Sequence, residues 1–213
     1  MNGFKLGRLA VVAAIAGLLC GCAATKFDPA DAGRIHTIAV APVEEPGFEL
    51  QIRFVQRTTG RDFSDVMQAQ NLHLGAEVKA AIVKAVRDDG YTVTDQGAGG
   101  AADAVLSIVV GGVPPNYSGP MYESALGGFK PEYSVLVKLR DAATKSVLYD
   151  RFFVYRDNSI APMDGSMLIR PDPKYAFTTG TPADDPALAA EGFRAPIPMI
   201  AGTVGASLKK PAQ

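Results

Sequence analysis

Cysteine is almost absent from this 213-residue chain: the two that occur, Cys20 and Cys22, both fall within the first 22 positions. No disulfide can staple the remainder, and paired-cysteine redox or zinc motifs are excluded there. Tryptophan is missing, and histidine occurs only at positions 36 and 73, without a His/carboxylate cluster. No metal is expected. Charge of one sign is lacking too, with 21 Lys+Arg against 22 Asp+Glu, so the clustered basic footprint of a nucleic-acid binder is not there. The longest apolar run, Leu9–Leu19, has eleven residues, well short of the ~20 that a membrane-spanning helix needs. Absent as well are a Gly-x-Ser-x-Gly elbow, a P-loop and a His-Glu-x-x-His helix. Gly97-Ala-Gly-Gly is followed by a strand pattern instead of a helix, which argues against a dinucleotide loop, so no cofactor is expected. The paired acids Glu44-Glu45, Asp88-Asp89 and Asp184-Asp185 are sequence neighbours that point apart on a regular element, which suits turns and caps better than acid/base pairs.

What is present at the N-terminus is specific. Lys5 and Arg8 precede the apolar run, and Leu19-Cys20-Gly21-Cys22 follows it. This arrangement resembles the lipobox of bacterial lipoprotein precursors. The resemblance implies a signal peptide over 1–21, cleavage before Cys22, and acyl chains on the sulfur and the amine of that residue. Small residues at 20 and 21 let an extended chain enter the peptidase groove. Ala23, where an Asp would signal retention, implies the outer membrane, with the domain facing the periplasm. Several acyl chains on Cys22 exceed the two signals that stable anchoring takes. Loss of Lys5 and Arg8 takes the net charge from −1 to −3.

Residues 23–34 read as a tether, small and polar with Pro29 and Gly33. Residues 35–43 are β-branched and apolar on both faces, as in an inner strand, with His36 at its solvent end. Residues 48–55 alternate Phe, Leu, Ile, Phe with polar residues, the pattern of a half-exposed strand or flap. Met67, Leu74, Val78, Ile82 and Ala85 form one stripe of a helix running from about 65–69 to Asp89; Gly90 is placed to cap it and His73 falls on its solvent side. A short edge strand over 91–94 precedes the very apolar 104–110, the expected sheet centre. Residues 133–140 and 147–155 alternate as an antiparallel hairpin, and 156–185, rich in Pro and Asp, reads as a surface loop. The last element opens with Asp185 as N-cap and Pro186 at the first helical position. It presents Leu188, Phe193, Ile197, Ile200, Val204 and Leu208 to a core, with a kink expected at Pro196 and Pro198.

These elements predict one α/β domain over 35–210: a two-layer sandwich with a mixed sheet of about four to five strands and two main helices on one face. The Ile-Ala-Val-Ala-Pro strand, the helix ending Asp-Asp-Gly-Tyr and the Ala-Asp-Ala-Val-Leu strand resemble a class of envelope lipoprotein domains. That class includes activators of penicillin-binding proteins, the curli-secretion lipoprotein and many uncharacterised proteobacterial lipoproteins. Asp-Pro-Lys-Tyr-Ala-Phe at 172–177 is most similar to the uncharacterised members. The resemblance carries over no functional residue.

One segment stands out. Residues 111–131 form a connection too long for an ordinary link between strands, and it holds Tyr117, Met121, Tyr122 and Phe129, residue types enriched in interface cores. Two readings are open: a docking surface for an envelope protein, or side chains folded back over the sheet. The function expected from the sequence is a non-enzymatic, membrane-anchored envelope lipoprotein that binds or supports another envelope component, the partners being the membrane through Cys22 and an envelope protein. The alternatives are a hydrolase of cell-wall or lipid material and a small-ligand carrier.

Overall fold

The computed structural model describes residues 26–44, 51–52, 67–98, 100–112, 121–125, 128–157 and 165–210. Apolar alternation builds its sheet. The strands are β1 (Thr37–Val40), β2 (Gln51–Ile52), β3 (Thr92–Asp95), β4 (Ala104–Gly111), β5 (Met121–Ala125), β6 (Gly128–Asp141), β7 (Val147–Tyr155) and β8 (Ser166–Ile169). Six of them form the main mixed sheet in the order β8-β7-β6-β4-β1-β3. The β3, β1 and β4 ladders are parallel, β4-β6-β7 antiparallel, and β7-β8 parallel again. β5 pairs with the first residues of β6, and β2 with β5. The expectation of a mixed sheet of about four to five strands is roughly met by the six of the main sheet. β4 is central and β3 is an edge, as their patterns predict.

The helices are α1 (Pro29–Arg34), α2 (Leu74–Asp88), α3 (Pro186–Arg194) and α4 (Ile197–Leu208). α2 buries Leu74, Val78, Ile82 and Val86, four residues apart and so stacked on one face. It stops where Gly90 takes φ +88°, with the Tyr91 amide donating to Val86 O and the Gly90 amide to Arg87 O, the 6→1 and 5→2 bonds of a Schellman motif. α2 packs along α4, and a Cβ on Gly205 of α4 would lie 3.2 Å from Ala85 Cβ and 2.9 Å from Asp89 Oδ2. In α3, Asp185 Oδ1 accepts from the Leu188 amide at 3.0 Å. Proline's missing amide turns the expected kink into a break: α3 ends and α4 begins across Ala195–Pro196.

Helices and sheet share one core. Along β4 the residues Ala104, Leu106, Ile108 and Val110 are fully buried while their alternates are half-buried. Val135, Val137 and Leu139 of β6 and Phe153 of β7 continue that buried face, against Ile82, Phe193, Ile200 and Val204.

Four expectations need correction. Part of the supposed tether is helix α1: Asp28 Oδ1 accepts from the Ala30 amide at 2.8 Å and Ala32 is buried. α2 starts at Leu74, because Asn71 takes φ 52°, which ends the preceding turn. The 111–131 connection is not one loop, since β5 and the start of β6 occupy part of it. The 156–185 stretch likewise contains β8 and a 3₁₀ turn at Pro173–Tyr175. β5 and β8 form because open edges of β6 and β7 offer them hydrogen bonds, which their own patterns do not announce.

Candidate functional site

Cys22 and Tyr117 lie outside the described residues, as do most of the 48–55 segment and the side chain of Met121. Tyr122 and Phe129 can be placed, and the Tyr122 side chain is not available to a docking surface. Tyr122 is fully buried and Phe129 is partly buried against the core. The folded-back reading holds for Tyr122.

Tyr122 is the centre of an aromatic cluster between β5, β6 and α3. Its ring stands edge-on to Phe177 and Phe193, with centroids 5.5 and 5.1 Å away, the arrangement the ring quadrupole favours. Its hydroxyl donates to Ala189 O at 3.1 Å, and the Tyr133 hydroxyl donates to Phe193 O at 3.0 Å. The second bond satisfies a carbonyl in the last turn of α3, where intrahelical partners run out. Gly192 makes the approach possible: a Cβ there would fall 2.3 Å from Tyr122 Oη. Burial raises the pKa of Tyr122, Tyr133 and Tyr155, and pushes Tyr91 up to about 12. All four stay protonated at neutral pH and act as donors or packing groups.

The other titratable groups are used structurally. Asp103 Oδ2 accepts the His36 and Thr37 amides at 2.8 and 2.9 Å, which lowers its pKa. Asp141 accepts the Ala143 and Thr144 amides and pairs with Arg34 at 2.7 Å; the Thr144 amide first and Arg34 second hold its pKa near about 2. Glu77 takes a two-point contact from Arg194 at 2.8 and 3.0 Å; although burial opposes it, these bonds and the His73 amide leave its pKa lowered. Asp184 closes the Thr181 turn and Asp185 caps α3. Among the described residues, no three His, Cys, Asp or Glu side chains are placed to share a metal ion. His36 and His73 are both exposed.

The surface with binding potential is the second face of the sheet. Side chains alternate across a strand, so Val105, Ser107 and Val109 of β4 point away from the helices, next to Leu136 and Lys138 of β6, then Asp150 and Phe152 of β7 and Leu168 of β8. The ladders pair Val109 with Leu136, Leu136 with Phe152, and Lys138 with both Ser107 and Asp150. These residues are half-buried, and none belongs to the helix-facing core. The result is an apolar strip with a charged pair beside it, on a face that no described helix covers. The sequence carries a signal for it, the apolar alternates Val105, Val109 and Leu136, but that signal is indistinguishable from a strand buried on both faces.

Fold and site together define a two-layer α/β domain in which, among the described residues, helices cover one face of the sheet. No family model matches the chain, and no curated protein matches it. Among solved structures it is similar to protein XCC0632 of Xanthomonas campestris, of the DUF330 family model, with 16% identity over 88% of this chain and 92% of that one, at a TM-score of 0.46. It is also similar to the PelC dodecamer of Paraburkholderia phytofirmans, with 11% identity over 89% and 96% of the two chains and a TM-score of 0.41. Likeness at this level carries no functional conclusion. Among the described residues, no helix is long and apolar enough to cross a membrane.

Proposed function

We propose that this chain is an outer-membrane lipoprotein, acylated at Cys22, whose α/β domain works by binding an envelope component and not by catalysis. The anchoring half of this reading rests on the Leu19-Cys20-Gly21-Cys22 pattern. The binding half is supported by one observation, the half-buried strip Val109, Leu136 and Phe152 aligned across three adjacent strands. A flat apolar strip bordered by Lys138 and Asp150 suits a protein surface, where an apolar centre with a polar rim is the usual anatomy. The nearby carboxylates already serve as caps and ion-pair partners, which fits a binding role better than an acid/base role.

The test is in-cell photo-crosslinking from positions 109 and 152, with Ala80 on the exposed side of α2 as control, each in wild-type and Cys22→Ala backgrounds. The expected result is one dominant protein adduct from 109 and 152, absent from Ala80 and lost with Cys22→Ala. Equal adducts from all three sites, or none from the sheet face of a folded and anchored protein, would overturn the binding reading.

A further inference from the structure

We infer that the end of the domain from which the chain leaves toward Cys22 lies against the bilayer, with anionic lipid headgroups meeting Lys26, Arg140, Lys145, Lys209 and Lys210. This rests on the anchored reading of Cys22 and adds an orientation to it.

The tether has little slack. Arg34 in α1 holds Asp141 at the end of β6 at 2.7 Å and also pairs with Asp31. The next residues are fixed by Asp103, which takes the His36 and Thr37 amides, while the Ala142 amide donates to Asp103 O. Cys22 lies six residues before the helix cap at Asp28, and a stretch of that number reaches at most ~20 Å. β7, nine residues long, spans ~30 Å at ~3.3 Å per residue, more than the tether can cover, so the far end of the domain cannot be the one that faces the bilayer.

Three other elements finish at this same end. The β6–β7 turn carries Arg140 and Lys145, whose partners are backbone carbonyls. The C-terminus of α4 is held there by Tyr91 Oη donating to Leu208 O at 2.6 Å and by Lys210 Nζ donating to Gly90 O at 3.0 Å. The Gly90–Tyr91 corner in turn joins β1, through the Thr92 amide on His36 O. Among the described residues, none of Lys26, Arg140, Lys145, Lys209 and Lys210 forms an ion pair, whereas most acids at this end are engaged: Asp31 and Asp141 by Arg34, Asp88 by Lys84, Asp103 by two amides, and Asp28 by the first turn of α1. Asp89 remains. Counted as whole charges, Lys26, Arg34, Lys84, Arg87, Arg140, Lys145, Lys209 and Lys210 outnumber Asp28, Asp31, Asp88, Asp89, Asp103 and Asp141 at this end by eight to six, an excess of the sign that anionic headgroups attract.

The experiment uses the full acylated protein in phosphatidylglycerol-containing vesicles with nitroxide-headgroup lipid as quencher. A fluorophore is placed through Ala143→Cys in the β6–β7 turn or through Arg170→Cys after β8; both positions are exposed, and the acylated Cys22 offers no competing thiol. The label at 143 should be quenched severalfold more than the label at 170. That difference should shrink on neutral phosphatidylcholine vesicles, in ~0.5 M salt, and in the K145E/K209E/K210E variant. Equal or reversed quenching in a protein that floats with the vesicles overturns the orientation. A difference unchanged on neutral vesicles overturns the headgroup contact. A protein that does not float at all overturns the anchored reading itself, and is thereby told apart from both.

Discussion

Replacing Gly192 by Ala should destabilise the protein, and removing one oxygen elsewhere should rescue most of the loss. An Ala Cβ would sit 2.3 Å from Tyr122 Oη and 3.3 Å from Tyr175 Cβ. Gly192 is buried in α3, between the Asp185 cap and the Arg194 end, so the helix cannot move away without breaking both tyrosine–carbonyl bonds. Over-packing of this kind costs about 1–3 kcal/mol, and pushing Tyr122 off Ala189 O adds about 1 kcal/mol. Alanine's better helix propensity returns about 1 kcal/mol. The net expected loss is about 1–3 kcal/mol, or roughly 2–12 °C in melting temperature for a domain of this size. Tyr122→Phe alone should cost about 1 kcal/mol, because the hydroxyl is lost while Ala189 O keeps its place in the helix. In the double variant the oxygen that clashes is gone, and only the 3.3 Å contact with Tyr175 remains. The double variant should therefore be more stable than the sum of the two losses by about 1–2 kcal/mol, a coupling of the size expected for touching residues. Urea unfolding followed by far-UV circular dichroism suits a chain without tryptophan. Additivity within about 0.5 kcal/mol would refute the close-approach argument.

Two further predictions rest on equally local geometry. Gly128 takes φ +109°, and a Cβ there would meet Phe177 O at 2.1 Å, a backbone atom held in a bridge to Phe129. Gly128→Ala should lose about 3 kcal/mol or more, while Gly33→Ala, with nothing within 4 Å of its added carbon, should be neutral or stabilising; melting temperatures that fall alike in both would contradict this. Asp141 has its pKa depressed to about 2, so its contribution is complete above the ordinary aspartate pKa of ~3.9 and is lost as pH falls through about 2. Thermal stability should decline from ~pH 5 downward, and Asp141→Asn, less stable at neutral pH, should show a flatter decline; parallel profiles would show that Asp141 and its Arg34 partner do not contribute to the acid sensitivity.

Much of the secondary structure was legible in the sequence, because it is set by short-range physics. The alternation in 104–110, 133–140 and 147–155 needs only a period of two to declare itself, and all three are strands. The stop of α2 follows from glycine's freedom at position 90, and the start of α3 from a carboxylate and a proline in the only places where both help a helix N-terminus. The prolines at 196 and 198 announce an interruption, whose form, a break between two helices, depends on how each half packs.

Residues 121–125 and 166–169 carry no clear period of their own. They are strands because β6 and β7 present unpaired edges to them, and those hydrogen bonds appear only after distant segments are brought together. Tyr122 makes the same point for the site. By residue type, a tyrosine in a long connection suits an exposed interface as well as a core. What buries it is a carbonyl at Ala189, 67 positions away, and the missing side chain of Gly192 that lets its ring approach. The half-buried strip of Val109, Leu136 and Phe152 is non-local for the same reason. Its residues come from three strands, and whether an alternating strand is covered on one face or two is decided by where the helices pack, because burial belongs to the assembled layers and not to the segment.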